Sequence, residues 1–196
     1  MGTDVAATLT GLLVGIGLAA ACGFRIFVPL LVAAVAAKAG HIQLAAGWQW
    51  VGSYPAIIAL SAATALEIAA YYIPWLDNLL DSIATPAAIV AGTLITASAI
   101  SGMSPLLRWS LAIIAGGGAA GLVQATTILV RTASTATTAG VGNPAVSTAE
   151  AGLSVGLSLL AVFLPILAVG MVVVLLFVIL RFFLRKLFRR PRTDAA

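Results

Sequence analysis

Charge is scarce in this chain of 196 residues: Lys and Arg number 10, Asp and Glu 6, and the four types together make up 8%. No stretch is polar enough to form a separate soluble domain, which places the chain outside the globular range of composition. Cysteine is reduced to Cys22, inside an apolar run, where it can form no intrachain disulfide and reads as a small packing residue. Histidine is reduced to His41, which reads as interfacial rather than as a metal ligand. No Cys/His metal spacing, Ser/His/Asp set or Walker-type loop occurs. Hydrolytic enzymes and ATP-driven pumps therefore lack their usual apparatus here, and neither a metal nor a cofactor is expected. No basic patch lies mid-chain, so no nucleic-acid partner is expected. The opening MGTDVAA carries no Lys or Arg and leads to no cleavage pattern, so a removable signal peptide is not expected.

Apolar residues are what the chain has in abundance. At 62% hydrophobic, with a mean hydropathy of +1.15, the composition predicts an all-α, polytopic transmembrane bundle surrounded by membrane lipids. Residues 8–38, TLTGLLVGIGLAAACGFRIFVPLLVAAVAAK, hold Arg25 near their middle. One helix of that length would span about 46 Å against a hydrocarbon core of about 30 Å, so it must tilt, kink or break. Gly23 and Pro29 flank Arg25 and mark the expected break, since glycine weakens a helix and proline removes a hydrogen bond. The sequence leaves open whether residues 8–38 cross once or fold back as a re-entrant hairpin, which would move the N-terminus to the other side. A second apolar run starts at the cap Ser53-Tyr54-Pro55 and continues to Asp81, with Pro74 as a kink. A third covers Thr85–Ser101, a fourth runs from Ser104-Pro105 to about Arg131, and a fifth covers residues 151–180 with a hinge at Pro165.

Five spans put the termini on opposite sides. The tail RFFLRKLFRRPR holds six of the ten basic residues. With Lys38 and Arg108 it is expected on the cytoplasmic face, giving N-out and C-in, with Arg131 and the 133–142 loop outside. A single transmembrane domain over residues 1–186, followed by a basic tail at 187–196, is the expected organisation. A shift of one hundred residues aligns Gly17 with Gly117 and Ala39-Gly40 with Ala139-Gly140. This suggests a degenerate repeat with halves of about 8–85 and 86–185. In a five-span topology those halves are inverted, as in many transporters whose site lies near the midplane.

A guanidinium at mid-membrane costs at least about 2.5–3.5 kcal/mol unless it meets a partner or water, so Arg25 marks a polar site. Glu67 is its expected counter-ion. On one kinked helix Glu67, Asp77 and Asp81 share a face, which reads either as an acidic path toward Arg25 with Asp77 and Asp81 at the outer mouth, or as caps and solvated ends. Gln124 lies one residue from the repeat position of Arg25 and reads as part of the same pathway or as interhelical glue. Gly11/Gly15, Gly117/Gly121 and Gly152/Gly156 are small-residue pairs that invite close packing and a homodimer.

The motifs GLAAACGFRIFVPLL (17–31), E-x-A-x-x-x-I-P-x-x-D from Glu67 to Asp77, and GNPAVSTAE (142–150) resemble those of the bacterial DUF4126 family of small integral membrane proteins. That resemblance covers nearly the whole chain. It implies a bacterial membrane location, brings no established activity, and adds Glu150, which composition alone would make a loop acid. The function expected from these residues is a small inner-membrane transporter or channel for a small polar or charged solute or ion, not an enzyme. The alternatives are a non-transporting scaffold or assembly factor and, third, a membrane enzyme acting on lipid.

Overall fold

The computed structural model describes residues 5–187. Among these residues the chain forms seven helices and no strand. They are α1 (Val5–Cys22), α2 (Phe27–Lys38), α3 (Tyr54–Ala70), α4 (Pro74–Ala99), α5 (Pro105–Thr138), α6 (Asn143–Phe163) and α7 (Pro165–Leu187). Four stretches are long and apolar enough to cross a membrane: α1, Leu79–Ala99 of α4, α5 and α6. The all-α membrane bundle expected from composition is the observed architecture.

Helix starts follow local chemistry. Ser53 and Ser104 accept hydrogen bonds from the N–H groups of Ala56 and Leu107, each at 3.4 Å, and Pro55 and Pro105 occupy first turns where no N–H is missed. Pro29, Pro74 and Pro165 do the same: each lies at the start of a helix rather than inside one. Pro74 and Pro165 are thus boundaries, not the kink and hinge expected. Pro86, expected to open a span, lies inside α4. Ala84, Ala88 and Ala91, on one buried face, carry the helix past it. Packing there outweighs a cost of about 3 kcal/mol.

The long run at residues 8–38 folds back. Thr10, Gly11 and Val14 of α1 line one cavity with His41, Ile42 and Gln43, which follow α2. The chain therefore returns to the level at which α1 began. The last apolar run also reverses. A Cβ on Gly17 would lie 2.7 Å from Ala161 Cβ and 3.3 Å from Ala168 Cβ. In one straight helix those alanines would be about 10 Å apart, so the chain turns between them, at Leu164 (φ −137°, ψ 62°). The second run breaks earlier than expected, at Tyr71–Ile73, so Glu67 and Asp81 belong to different helices and share no face.

Five expected spans thus become seven helices that alternate in direction. One end of the bundle holds Val5, Lys38, Ala99, Arg108 and Phe163; the other holds Cys22, Phe27, Tyr71, Arg131 and Asn143. The termini of the described chain still lie at opposite ends. The 133–142 stretch, helical to Thr138, lies at the end toward which α7 runs, as does Asp81. The basic tail beyond residue 187 lies outside the described residues. The inverted relation does not hold. Gly11 and Gly15 pack on Ala99 and Thr96, and Gly116 packs on Gly92 and Thr96, so α1 and α5 both run antiparallel to α4 and parallel to each other. The extra reversal of direction at α2 changes the parity on which inversion depended, and α4 runs unbroken through the expected repeat boundary at 85/86.

The core is built around α1, whose Leu18, Ala19, Ala20 and Cys22 are fully enclosed. Within α5 the turn Ala112–Gly117 widens to a π-helix where Gly116 meets Gly92 and Thr96. Gly152 and Gly156 meet nothing within 4 Å. Their faces are open rather than packed.

Candidate functional site

Arg25 lies in the link between α1 and α2, at the break expected from Gly23. Glycine is required there because a Cβ on Gly23 would come within 2.6 Å of both Ala120 O and Val123 Cβ on α5. Arg25 is 2% exposed. Its Nη2 donates to Ser147 O at 2.9 Å and to Ser147 Oγ, and lies 3.3 Å from Glu150 Oε2. Nε and Nη1 of the same guanidinium have no hydrogen-bond partner.

Glu150 joins two arginines. Arg131 Nε donates to Glu150 Oε1 at 3.0 Å, and Arg131 Nη2 meets Glu150 Oε2. The paired fork is the strong geometry for a guanidinium and a carboxylate. Farther out, Arg131 Nη1 lies 3.7 Å from Asp81 Oδ1. Both guanidinium carbons lie over the Tyr71 ring, Arg25 at 3.8 Å and Arg131 at 4.3 Å from its centroid, a favourable placement for cations against an aromatic face. Tyr71 sits in the turn between α3 and α4, and burial pushes its phenol up to about 12 despite the two cations. The ring stays neutral. Tyr72 fixes the same turn through a 2.7 Å hydrogen bond between its hydroxyl and that of Thr148.

Glu67 does not face Arg25 as its counter-ion. Its Oε1 accepts from Ile26 N–H at 2.7 Å and its Oε2 from Phe27 N–H at 3.0 Å. These are donors that the start of α2 leaves unpaired, and a carboxylate from α3 supplies the cap that Ile26 cannot. The break is pinned by an acid from another helix. Gln124 is buried on α5 beside Val123, which packs on Gly23. Asp77 is in α4, but its side chain lies outside the described residues.

Of the residues singled out in the sequence, Arg25, Asp81 and Glu150 come together, and Glu67 holds the adjoining backbone. Glu150 is buried in α6, not exposed in a loop. Arg131, Tyr71 and Ser147 were missed. In the sequence Arg131 reads as the end of a span, yet it precedes the Ala139–Gly142 turn by eight residues and Glu150 follows that turn by eight. An antiparallel hairpin about that turn sets them side by side, and this symmetry was the available signal.

Two cavities lie at opposite ends of the bundle. One, of about 350 Å³, is lined by Asp81, Arg131, Thr132, Thr135, Ala136 and Asn143. The other, of about 260 Å³, includes Thr10, His41, Gln43, Ser101 and Val162. Between their levels α6 carries a buried polar stripe, Ser147, Glu150, Ser154 and Ser158. Ser154 donates to Ala21 O at 3.1 Å, and Ser158 donates to Ser154 O at 2.6 Å.

The chain matches the model of the family described as Domain of unknown function (DUF4126) over residues 12–185. No curated protein and no solved structure matches it.

Proposed function

The chain belongs to the DUF4126 family, and we propose that this member is a small transporter or channel for a small polar or charged solute or ion, with its site around Arg25, Arg131, Glu150 and Asp81. The observation that carries the reading is Arg25: a guanidinium 2% exposed, placed at a helix break, with two nitrogens lacking partners. Buried polar groups are normally satisfied, and an intramembrane cation that is not fully satisfied costs enough to need a reason. Non-helical backbone at such depth is tolerated beside a buried or water-lined path. The cavity at Asp81 and Arg131, the charge cluster and the serine stripe of α6 line up as that path, ending toward the cavity at Val162.

The orientation belongs to the same proposal. The location is a bacterial inner membrane, and the basic tail lies in the cytoplasm together with Arg131, outweighing Lys38 and Arg108, which lie at the other end of the bundle and not beside the tail as expected. The N-terminus is then outside, and the Asp81 cavity opens to the cytoplasm instead of forming the outer mouth. Flux in proteoliposomes tests the function: the full-length protein is expected to move a small ion or polar solute, and Glu150→Gln to abolish that movement. The scaffold reading draws support from Glu67, whose carboxylate is fully engaged in holding backbone. A folded protein that moves no ion, sugar, amino acid or organic acid would leave the scaffold.

A further inference from the structure

The longest helix does not fit inside a bilayer. α5 holds 34 residues, about 50 Å at 1.5 Å each against a hydrocarbon core of about 30 Å, so part of it stands outside. Its surface shows which part. Large apolar side chains are exposed on α5 as far as Leu129 and Val130; past them it exposes Thr132, Thr135, Thr137, Thr138 and alanines. The facing helix α6 exposes Pro144, Ala145, Thr148 and Ala149 before its first exposed large apolar side chain, Leu153. The apolar stretch of α4 begins at Leu79. In all three helices the change falls within one turn of a charged residue of the cluster: Val130 adjoins Arg131, Leu153 follows Glu150 by three, and Leu79 precedes Asp81 by two.

The backbone gives the same level independently. The turn Tyr71–Ile73 between α3 and α4 is not helical, and Tyr72 and Ile73 are exposed. Irregular backbone does not face lipid within the hydrocarbon, so this turn lies at its edge or beyond. Tyr71, in that turn, carries Arg25 and Arg131 on its ring at 3.8 and 4.3 Å. The cluster is therefore one side chain from the boundary. At the other end Trp50, Tyr54 and Trp109 are exposed, and Lys38 Nζ lies 4.2 Å from the centre of the Tyr54 ring; these are the side chains that settle among headgroups. From that end to the Tyr71 turn, the 17 residues of α3 rise about 26 Å, and the 21 residues of Leu79–Ala99 rise about 31 Å. One hydrocarbon core fits between the two levels.

We infer that the cluster of Arg25, Arg131, Glu150 and Asp81 lies at the headgroup level of one face of the membrane, not at its midplane, and that the hairpin tip beyond it, residues 132–149, stands in water. The apolar band between the two aromatic levels is the surface that the bilayer covers. The cavity at Asp81 and Arg131 then opens to water or headgroups without a passage through lipid, and nearly the whole hydrocarbon thickness separates it from the cavity at His41 and Val162. This placement goes beyond the transport reading and holds whether or not a solute moves.

The test is power-saturation electron paramagnetic resonance on single nitroxide labels, with the full-length protein in vesicles of phosphatidylethanolamine and phosphatidylglycerol. Cys22 is fully enclosed, so labels go into the native chain and, as a control, into a Cys22→Ala background. Oxygen concentrates in hydrocarbon and a nickel chelate stays in water, so the ratio of their effects reads depth. Labels on Leu122→Cys and Leu159→Cys are expected to favour oxygen, and those on Thr137→Cys and Ala145→Cys to favour the chelate. Ala149→Cys, exposed beside Glu150, is the deciding position: its ratio is expected to shift from the Leu159 value toward the chelate, to the headgroup range. An oxygen preference at Ala149 equal to that at Leu159 returns the cluster to the hydrocarbon interior and overturns the inference. Chelate access at Leu122 equal to that at Ala145 overturns it as well, since the band would then not face lipid. Solute flux with Ala149 at the Leu159 depth keeps the transporter and retires the placement; Ala149 at headgroup depth without flux does the reverse.

Discussion

Arg131 and Glu150 meet edge to edge across the α5–α6 hairpin, with Nε donating to Oε1 at 3.0 Å and Nη2 on Oε2, and that same Oε2 lies 3.3 Å from Arg25. One carboxylate therefore neutralises two buried cations contributed by three segments of chain. It ties the α1–α2 break to the hairpin at the far end of the sequence.

Removing that carboxylate is expected to cost more than removing either arginine. Glu150→Gln leaves two guanidinium groups short of a counter-ion and should destabilise by about 3–5 kcal/mol, the range for breaking a buried pair. Arg131→Gln leaves Arg25 still paired with Glu150 and should cost less. Unfolding of the three proteins in one detergent checks the order; equal losses would show that Glu150 does not bridge.

A double-mutant cycle separates the two acids near Arg25. Coupling between Arg25 and Glu150 is expected to be large, within the 0.5–3 kcal/mol range of contacting pairs, at about its upper end. Coupling between Arg25 and Glu67 is expected to be much smaller, because Glu67 spends both oxygens on Ile26 and Phe27 N–H. Glu67→Ala alone should still destabilise, by about 1–3 kcal/mol for each donor left unsatisfied, with Glu67→Gln recovering part. Stability measurements that return equal couplings would overturn this division of roles.

Glycines divide by what surrounds them. Gly23→Val must push Val123 and the Ala120 carbonyl aside and is expected to cost about 1–3 kcal/mol or more. Gly152→Ala and Gly156→Ala enter open space and should change stability by no more than about 0.5 kcal/mol. If the protein is the proposed homodimer and α6 forms its interface, Gly156→Leu will halve the mass measured in detergent while leaving each subunit folded. An unchanged dimer mass would place the interface elsewhere.

Single cysteines report the direction of the helices. Val141→Cys, at a position 83% exposed, should be labelled from the same side as a tag on the C-terminus, and Trp50→Cys from the opposite side. With the tail in the cytoplasm, residue 141 reacts from within. Labelling of Val141→Cys from outside together with a cytoplasmic tag would break the α6–α7 reversal.

Composition and punctuation were enough for the class of protein and for most helix starts. Sixty-two per cent apolar residues cannot be hidden in a chain this short except by lipid, and Ser53-Tyr54-Pro55, Ser104-Pro105 and the Gly23 break announce themselves through caps and missing donors. Arg25 was legible for the same local reason, since a lone cation in an apolar run has few explanations. The pairing was not. Hydropathy does not distinguish one long kinked helix from two short antiparallel ones, so the reversal at Gly23–Ile26 stayed an open alternative and the one at Leu164 was invisible in the run of apolar residues.

The sequence by itself determined that this is a helical membrane bundle with a polar site at the Arg25 break. Only the tertiary structure decided which acid answers which cation. The number of reversals fixes the direction of every later helix, and one added reversal at α2 turned an inverted repeat into two parallel helices. The early end of α3 separated Glu67 from Asp81, and the hairpin about Ala139–Gly142 carried Glu150 and Arg131 to Arg25. Contacts between residues 25 and 150 depend on how the intervening helices pack, and nothing in either residue's own neighbourhood specifies that packing.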